Sequence, residues 1–248
     1  MKKTAWVFLS LAVLAAASAA TEVSAAEAAS YTSNGAVDFI PNTDPTNPVN
    51  PENPDPENPV KPVDPTDPDG PNPGTNGPLS IDFASSLYFG TQKITSKTEI
   101  YHAETQKYVD SANVNQEGPN FVQVTDNRGT ESGWTLNVRQ NGQFKTAEDQ
   151  ELTAAQIRLT KGTVVTPSLS PKPSNVSSTI TLNPNGAQSL VMSAQDGEGA
   201  GTYLMSWGDS LAAAMDSIEL EVPGSTTKYA SQYNTTFTWL LTDTPTNP

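Results

Sequence analysis

Cysteine is absent from the 248 residues, and histidine occurs once, at His102. A thiolate is the nucleophile and soft-metal ligand of cysteine chemistry, and imidazole is the base of serine triads. Thiol catalysis, zinc sites and Ser-His-Asp hydrolysis therefore lose most of their parts. Basic residues are also scarce: 13 Lys and Arg stand against 27 Asp and Glu, for a formal net charge of −14. Nucleic acid and anionic lipid are bound through many cationic contacts that release counterions, so neither is expected as a partner. The acids themselves, among them Glu99, Glu104, Glu131 and Asp209, are the raw material of a glycosidase. Carboxylates on so negative a chain are mostly solvated, however, and no enzyme, metal or other cofactor is expected. The short run Asp196-Gly197-Glu198-Gly199 lacks the ligand spacing of a calcium loop and reads as a turn.

Long apolar runs are missing except at the amino terminus. There Lys2-Lys3 precede an apolar stretch from Ala5 to Ala20 and a series of small residues. The pattern predicts a secretory signal peptide over residues 1–25, so no membrane span is expected after cleavage. Residues 26–78 follow as an acidic, proline-rich spacer. Pro41 to Pro78 alone holds 13 of the 21 prolines, in repeated Asn-Pro, Asp-Pro and Glu-Asn-Pro units. Each proline fixes φ, removes a hydrogen-bond donor and pushes its predecessor out of the helical region. The segment is predicted to be disordered, stiff and polyproline-like, with a ceiling of about 3.1 Å per residue.

From Leu79 onward the alternation changes to period two. Ile81, Phe83 and Ser85 share one parity, and strand-like runs recur at Phe121 to Val124, Gly133 to Val138, Ile157 to Leu159, Thr163 to Val165, Ser178 to Leu182, Gln188 to Met192, Gly201 to Trp207, Ile218 to Val222 and Tyr229 to Leu241. Turn signals such as Asn141-Gly142 and Asp196-Gly197 separate them. Only Ala147 to Ala155 and Ser210 to Met215 read as short helical turns. Residues 79–248 are thus predicted to form one all-β domain, antiparallel and β-sandwich-like or barrel-like.

Two tryptophans are each followed at i+2 by leucine, Trp134 with Leu136 and Trp239 with Leu241. Residues i and i+2 of a strand share a face, so Trp134, Leu136 and Val138 form one apolar row and Phe237, Trp239 and Leu241 another. Such rows suit a core more often than a ligand platform, and a buried motif still shapes the surface that binds. Tyr203, Trp207 and Tyr233 are the candidates for stacking on a sugar ring.

These features resemble the WxL-domain surface proteins of low-GC Gram-positive bacteria. The resemblance runs from Leu79-Ser80-Ile81-Asp82-Phe83 and Leu87-Tyr88-Phe89-Gly90 through Gly133 to Val138 and Leu152 to Leu159. It ends on Tyr229 to Pro245, which holds the second motif after Phe237-Thr238. It implies a secreted protein held non-covalently on the cell wall by this domain, with peptidoglycan as ligand and the two Trp-Leu pairs as the wall-binding motif. It also implies other WxL proteins and a membrane-anchored WxL-interacting protein as partners. The last residues, Thr-Pro-Thr-Asn-Pro, carry no sorting motif, so covalent anchoring at that end is not expected. The alternative is a structural or adhesive subunit that docks to the anchored partner or to a host ligand.

Overall fold

The computed structural model of the chain describes residues 29–246, and the expected signal peptide lies outside the described residues. The chain divides into Met1–Asp38 and Phe39–Pro248. In the first unit, the described residues carry no helix or strand and expose Tyr31 and Val37.

Among the described residues, the second unit holds the regular structure. In chain order its strands are β1 (Lys61–Pro62), β2 (Leu79–Ala84), β3 (Glu99–His102), β4 (Gln106–Val109), β5 (Asn115–Gly118), β6 (Asn120–Asp126), β7 (Trp134–Gln140), β8 (Gln156–Leu159), β9 (Gly162–Val165), β10 (Asn175–Val176), β11 (Ile180–Thr181), β12 (Ser189–Ala194), β13 (Gly201–Trp207), β14 (Ile218–Val222) and β15 (Phe237–Thr242). One helical turn, α1 (Leu211–Ala214), begins at Ser210, whose hydroxyl accepts from the Ala213 amide. This is the Ser210 to Met215 turn expected from sequence. Ala147 to Ala155 is not helical: it makes tight turns in which Asp149 and Ala154 adopt positive φ.

The strands pair antiparallel in four sheets, ordered β1-β4-β5, β10-β12-β7-β15, β11-β8-β14-β3 and β2-β6-β13-β9. The all-β expectation therefore holds. In place of the two facing layers of a sandwich, three four-stranded sheets converge on one core. They contribute Leu136 and Val191 from the second sheet, Ile157 and Leu220 from the third, and Val124 and Met205 from the fourth.

The sheet β2-β6-β13-β9 is buried on both faces, and its second cover is the proline-rich segment. Val49 is 1% exposed and packs with Phe83, Phe121 and Leu204. The Val49 amide donates to Gln123 Oε1 at 2.9 Å, and Gln123 Nε2 donates to the Asn47 carbonyl at 3.1 Å. Further on, Val60 is buried, β1 pairs with β4, and the Val63 amide donates to the Lys107 carbonyl at 2.8 Å. The expectation of a free, disordered spacer is corrected here. Its prolines do forbid ladder-rich structure, and β1 is only a two-residue edge strand. A proline-rich chain still docks when a single valine, Val49, meets an apolar face and the Gln123 side-chain amide supplies the missing partners.

The parity expected for Ile81, Phe83 and Ser85 is broken by a bulge, which places both Asp82 and Phe83 inside. Asp82 Oδ2 accepts from Thr125 Oγ1 at 2.6 Å and Gln123 Nε2 at 2.9 Å, while Oδ1 accepts from Ser80 Oγ at 2.6 Å. Burial pushes the Asp82 carboxyl above its ordinary value of 3.8, against the pull of those three donors. A carboxyl with a raised folded pKa holds its proton more tightly when folded. Its contribution to stability is greatest below the unfolded value and declines as pH rises through the raised one. Urea unfolding at a series of pH values should therefore show the wild type losing stability relative to Asp82→Asn as pH climbs above about 4. Parallel curves for the two proteins would rule out an uncompensated buried carboxyl.

Candidate functional site

The two motif strands are neighbours. β15 pairs with β7 so that Leu241 lies opposite Leu136 and Trp239 opposite Val138. Directly opposed residues of an antiparallel pair share a face, so the two rows form a single apolar patch. That patch faces β13 of the next sheet. The Trp134 and Tyr203 rings lie 6.2 Å apart between centroids, and Trp207 and Trp239 lie 5.9 Å apart, both pairs tilted. The four aromatic side chains thus join the two sheets.

Trp134 and Leu136 are fully buried, whereas Trp239 and Leu241 are half-buried on the edge strand. The Trp134 indole donates to the Gly199 carbonyl at 3.0 Å. Gly199 has φ +82°, and a Cβ there would sit 2.6 Å from the indole nitrogen, so only glycine fits. The entry to β7 is fixed from the other side by Arg128. Its guanidinium meets both carboxylate oxygens of buried Asp126, at 2.9 and 2.7 Å, and donates to the Gly133 carbonyl at 2.7 Å. The Asp126 hydrogen bond raises the Arg128 pKa further.

Two of the sugar-stacking candidates are corrected. Tyr203 and Trp207 are 0% and 1% exposed and leave no ring face for a ligand. The Tyr203 hydroxyl donates instead to the Ser170 carbonyl at 2.7 Å. Tyr233 is half-buried beside the core, and its hydroxyl accepts from the Tyr229 amide at 2.9 Å. The motif tryptophans and these tyrosines therefore converge on a core and its edge.

The open surfaces lie elsewhere. In β11-β8-β14-β3 the inward residues are Ile157, Leu159, Ile180, Ile218, Leu220 and Val222. The alternate residues point outward and line a groove of about 280 Å³, with Gln156, Arg158, Glu219, Glu221, Ile100 and Thr181 among them. The register sets Thr181, Arg158, Glu219 and His102 in one row across the four strands. Sequence reading placed β8 and β14 but missed this face. The alternation Ile218-Glu219-Leu220-Glu221-Val222 shows which residues point outward, and nothing local shows that β8 is its neighbour. A second depression, of about 480 Å³, lies between the β4–β5 hairpin and Leu211.

Among the described residues, no helix is long and apolar enough to cross a membrane. A family model described as "WxL domain surface cell wall-binding" matches residues 26–245, taking in the proline-rich segment as well as the strands. No curated protein and no solved structure matches the chain.

Proposed function

The chain belongs to the WxL family of cell-wall-binding surface domains, and from that premise we propose that it is a non-catalytic protein holding peptidoglycan non-covalently through its β-domain. Its place is the cell surface, at the wall. The observation that carries the reading is the family match over nearly the whole chain. The packing supports a division of labour. The Trp-Leu rows weld two sheets together, and ligand contact falls to the outward strand faces.

With a formal charge of −14, the protein is repelled at long range by anionic wall polymers, so attachment rests on short-range contacts. Purified full-length protein should sediment with protein-free sacculi. Raising sodium chloride from about 0.01 to 0.15 M, which shortens the Debye length from about 30 to about 8 Å, screens that long-range repulsion more than contacts at hydrogen-bond distance and should leave retention unchanged or improve it. Protein left in the supernatant would refute peptidoglycan binding. The second reading, docking to a partner protein at the surface such as another WxL protein or a membrane-anchored one, is favoured by one observation. Phe39 and Ile40 stand 90% and 88% exposed at the start of the second unit.

A further inference from the structure

We propose that the outward face of β11-β8-β14-β3 is the ligand site, and that it takes the peptide stem of peptidoglycan rather than the glycan strand. The inference rests on the wall-binding reading above and names the part of the wall that is held.

The groove carries both signs of charge in a fixed pattern. Arg158 on β8 lies opposite Glu219 on β14, and Glu221 follows two residues along on the same face. Neighbouring strands run about 4.8 Å apart and i, i+2 residues about 6.8 Å apart, so a cation and two carboxylates are held within the span of a short peptide. Among the described residues, neither Arg158 nor either glutamate forms an ion pair or a side-chain hydrogen bond, unlike Arg128, which is committed to Asp126. Gln156 and Thr181 add donors and acceptors at the rim.

A ligand complementary to this pattern has a carboxylate for the Arg158 fork and an ammonium for Glu219 and Glu221. A wall stem peptide has both: free carboxylates along its backbone and, on its diamino acid, a free amine. A sugar strand is a poor match. The residues lining the groove include no aromatic ring, and Ile100 is their one large apolar side chain, so a pyranose finds no stacking platform. The proline-rich segment covers a different sheet, β2-β6-β13-β9, and leaves this face open.

The test uses the full chain with three probes: intact sacculi, glycan strands stripped of peptide by an amidase, and a synthetic stem tripeptide ending in lysine. Wild type should bind the tripeptide and intact sacculi and lose at least tenfold in affinity for stripped strands. Arg158→Ala and the double variant Glu219→Gln/Glu221→Gln should each weaken tripeptide binding at least tenfold with an unchanged melting temperature. Because a surface variant can still disturb the sheet, the wild type is also titrated by NMR. Saturating shifts should centre on Gln156, Arg158, Glu219 and Glu221. Equal binding to stripped and intact material, with no response to the tripeptide, would overturn the peptide assignment and leave wall binding standing. Tripeptide binding without sacculus binding would support the groove and refute the wall reading. Failure on all three probes would refute both.

Discussion

Trp134→Ala should lower the unfolding free energy by about 3–5 kcal/mol, the range for emptying a large aromatic site in a core. The ring is fully buried, packs against Tyr203 and satisfies the Gly199 carbonyl, so its loss leaves both a cavity and an orphaned acceptor. The melting temperature and wall retention should fall together. Loss of retention with an unchanged melting transition would mean that the tryptophan touches the wall. Trp239→Ala should cost less, because its ring is only half-buried and its strand lies at the sheet edge.

A loss of similar size is expected from Arg128→Ala. The Asp126 side chain is 1% exposed and faces the guanidinium, so truncation strands a buried carboxylate and removes the donor that holds Gly133 at the start of β7. Removing one partner of a buried pair costs about 3–5 kcal/mol, most of it the penalty on the charge left behind. Chemical denaturation of the single variant, set beside Arg128→Ala/Asp126→Asn, separates that penalty from lost packing, and the double variant should recover part of the stability. A loss below about 1 kcal/mol, typical of an exposed ion pair, would show that Asp126 reaches water.

Both effects centre on a patch whose halves, but not whose assembly, are legible in the sequence. The i, i+2 spacing gives each Trp-Leu row. Only the register of β15 on β7 puts Leu241 beside Leu136, about 105 residues away in sequence by the spacing of the two motifs. β13 and β14 match their predicted runs residue for residue: β14 alternates strictly, and β13, buried almost throughout, is bounded by Gly199-Ala200-Gly201 and Gly208. Tyr229 to Leu241 reads as one long strand, yet the ladder with β7 begins only at Phe237, preceded by an isolated antiparallel bridge between Asn234 and Lys145. The preceding aromatic residues pack without joining a ladder.

The larger misreadings come from residues whose partners are remote. Nothing near Val49 tells that its amide meets Gln123, or that the outer face of β6 is apolar enough to bury a proline-rich strap. Gln123 looks like an outward residue of an alternating strand, and it is fully buried because that strap covers it. Asp82 is similar: period two breaks at a bulge that local composition does not announce. Tyr203 and Trp207 suit a sugar platform by residue type alone, and the convergence of three sheets seals them in.

The claim that the motif builds the fold and does not touch the wall is tested most directly by following the tryptophan indole NMR signals of the full-length protein during titration with solubilised peptidoglycan fragments. A structural role predicts that the Trp134 indole proton, bonded to the Gly199 carbonyl, stays unshifted and slow to exchange at fragment concentrations that saturate binding. A Trp134 shift that saturates in step with binding would contradict it.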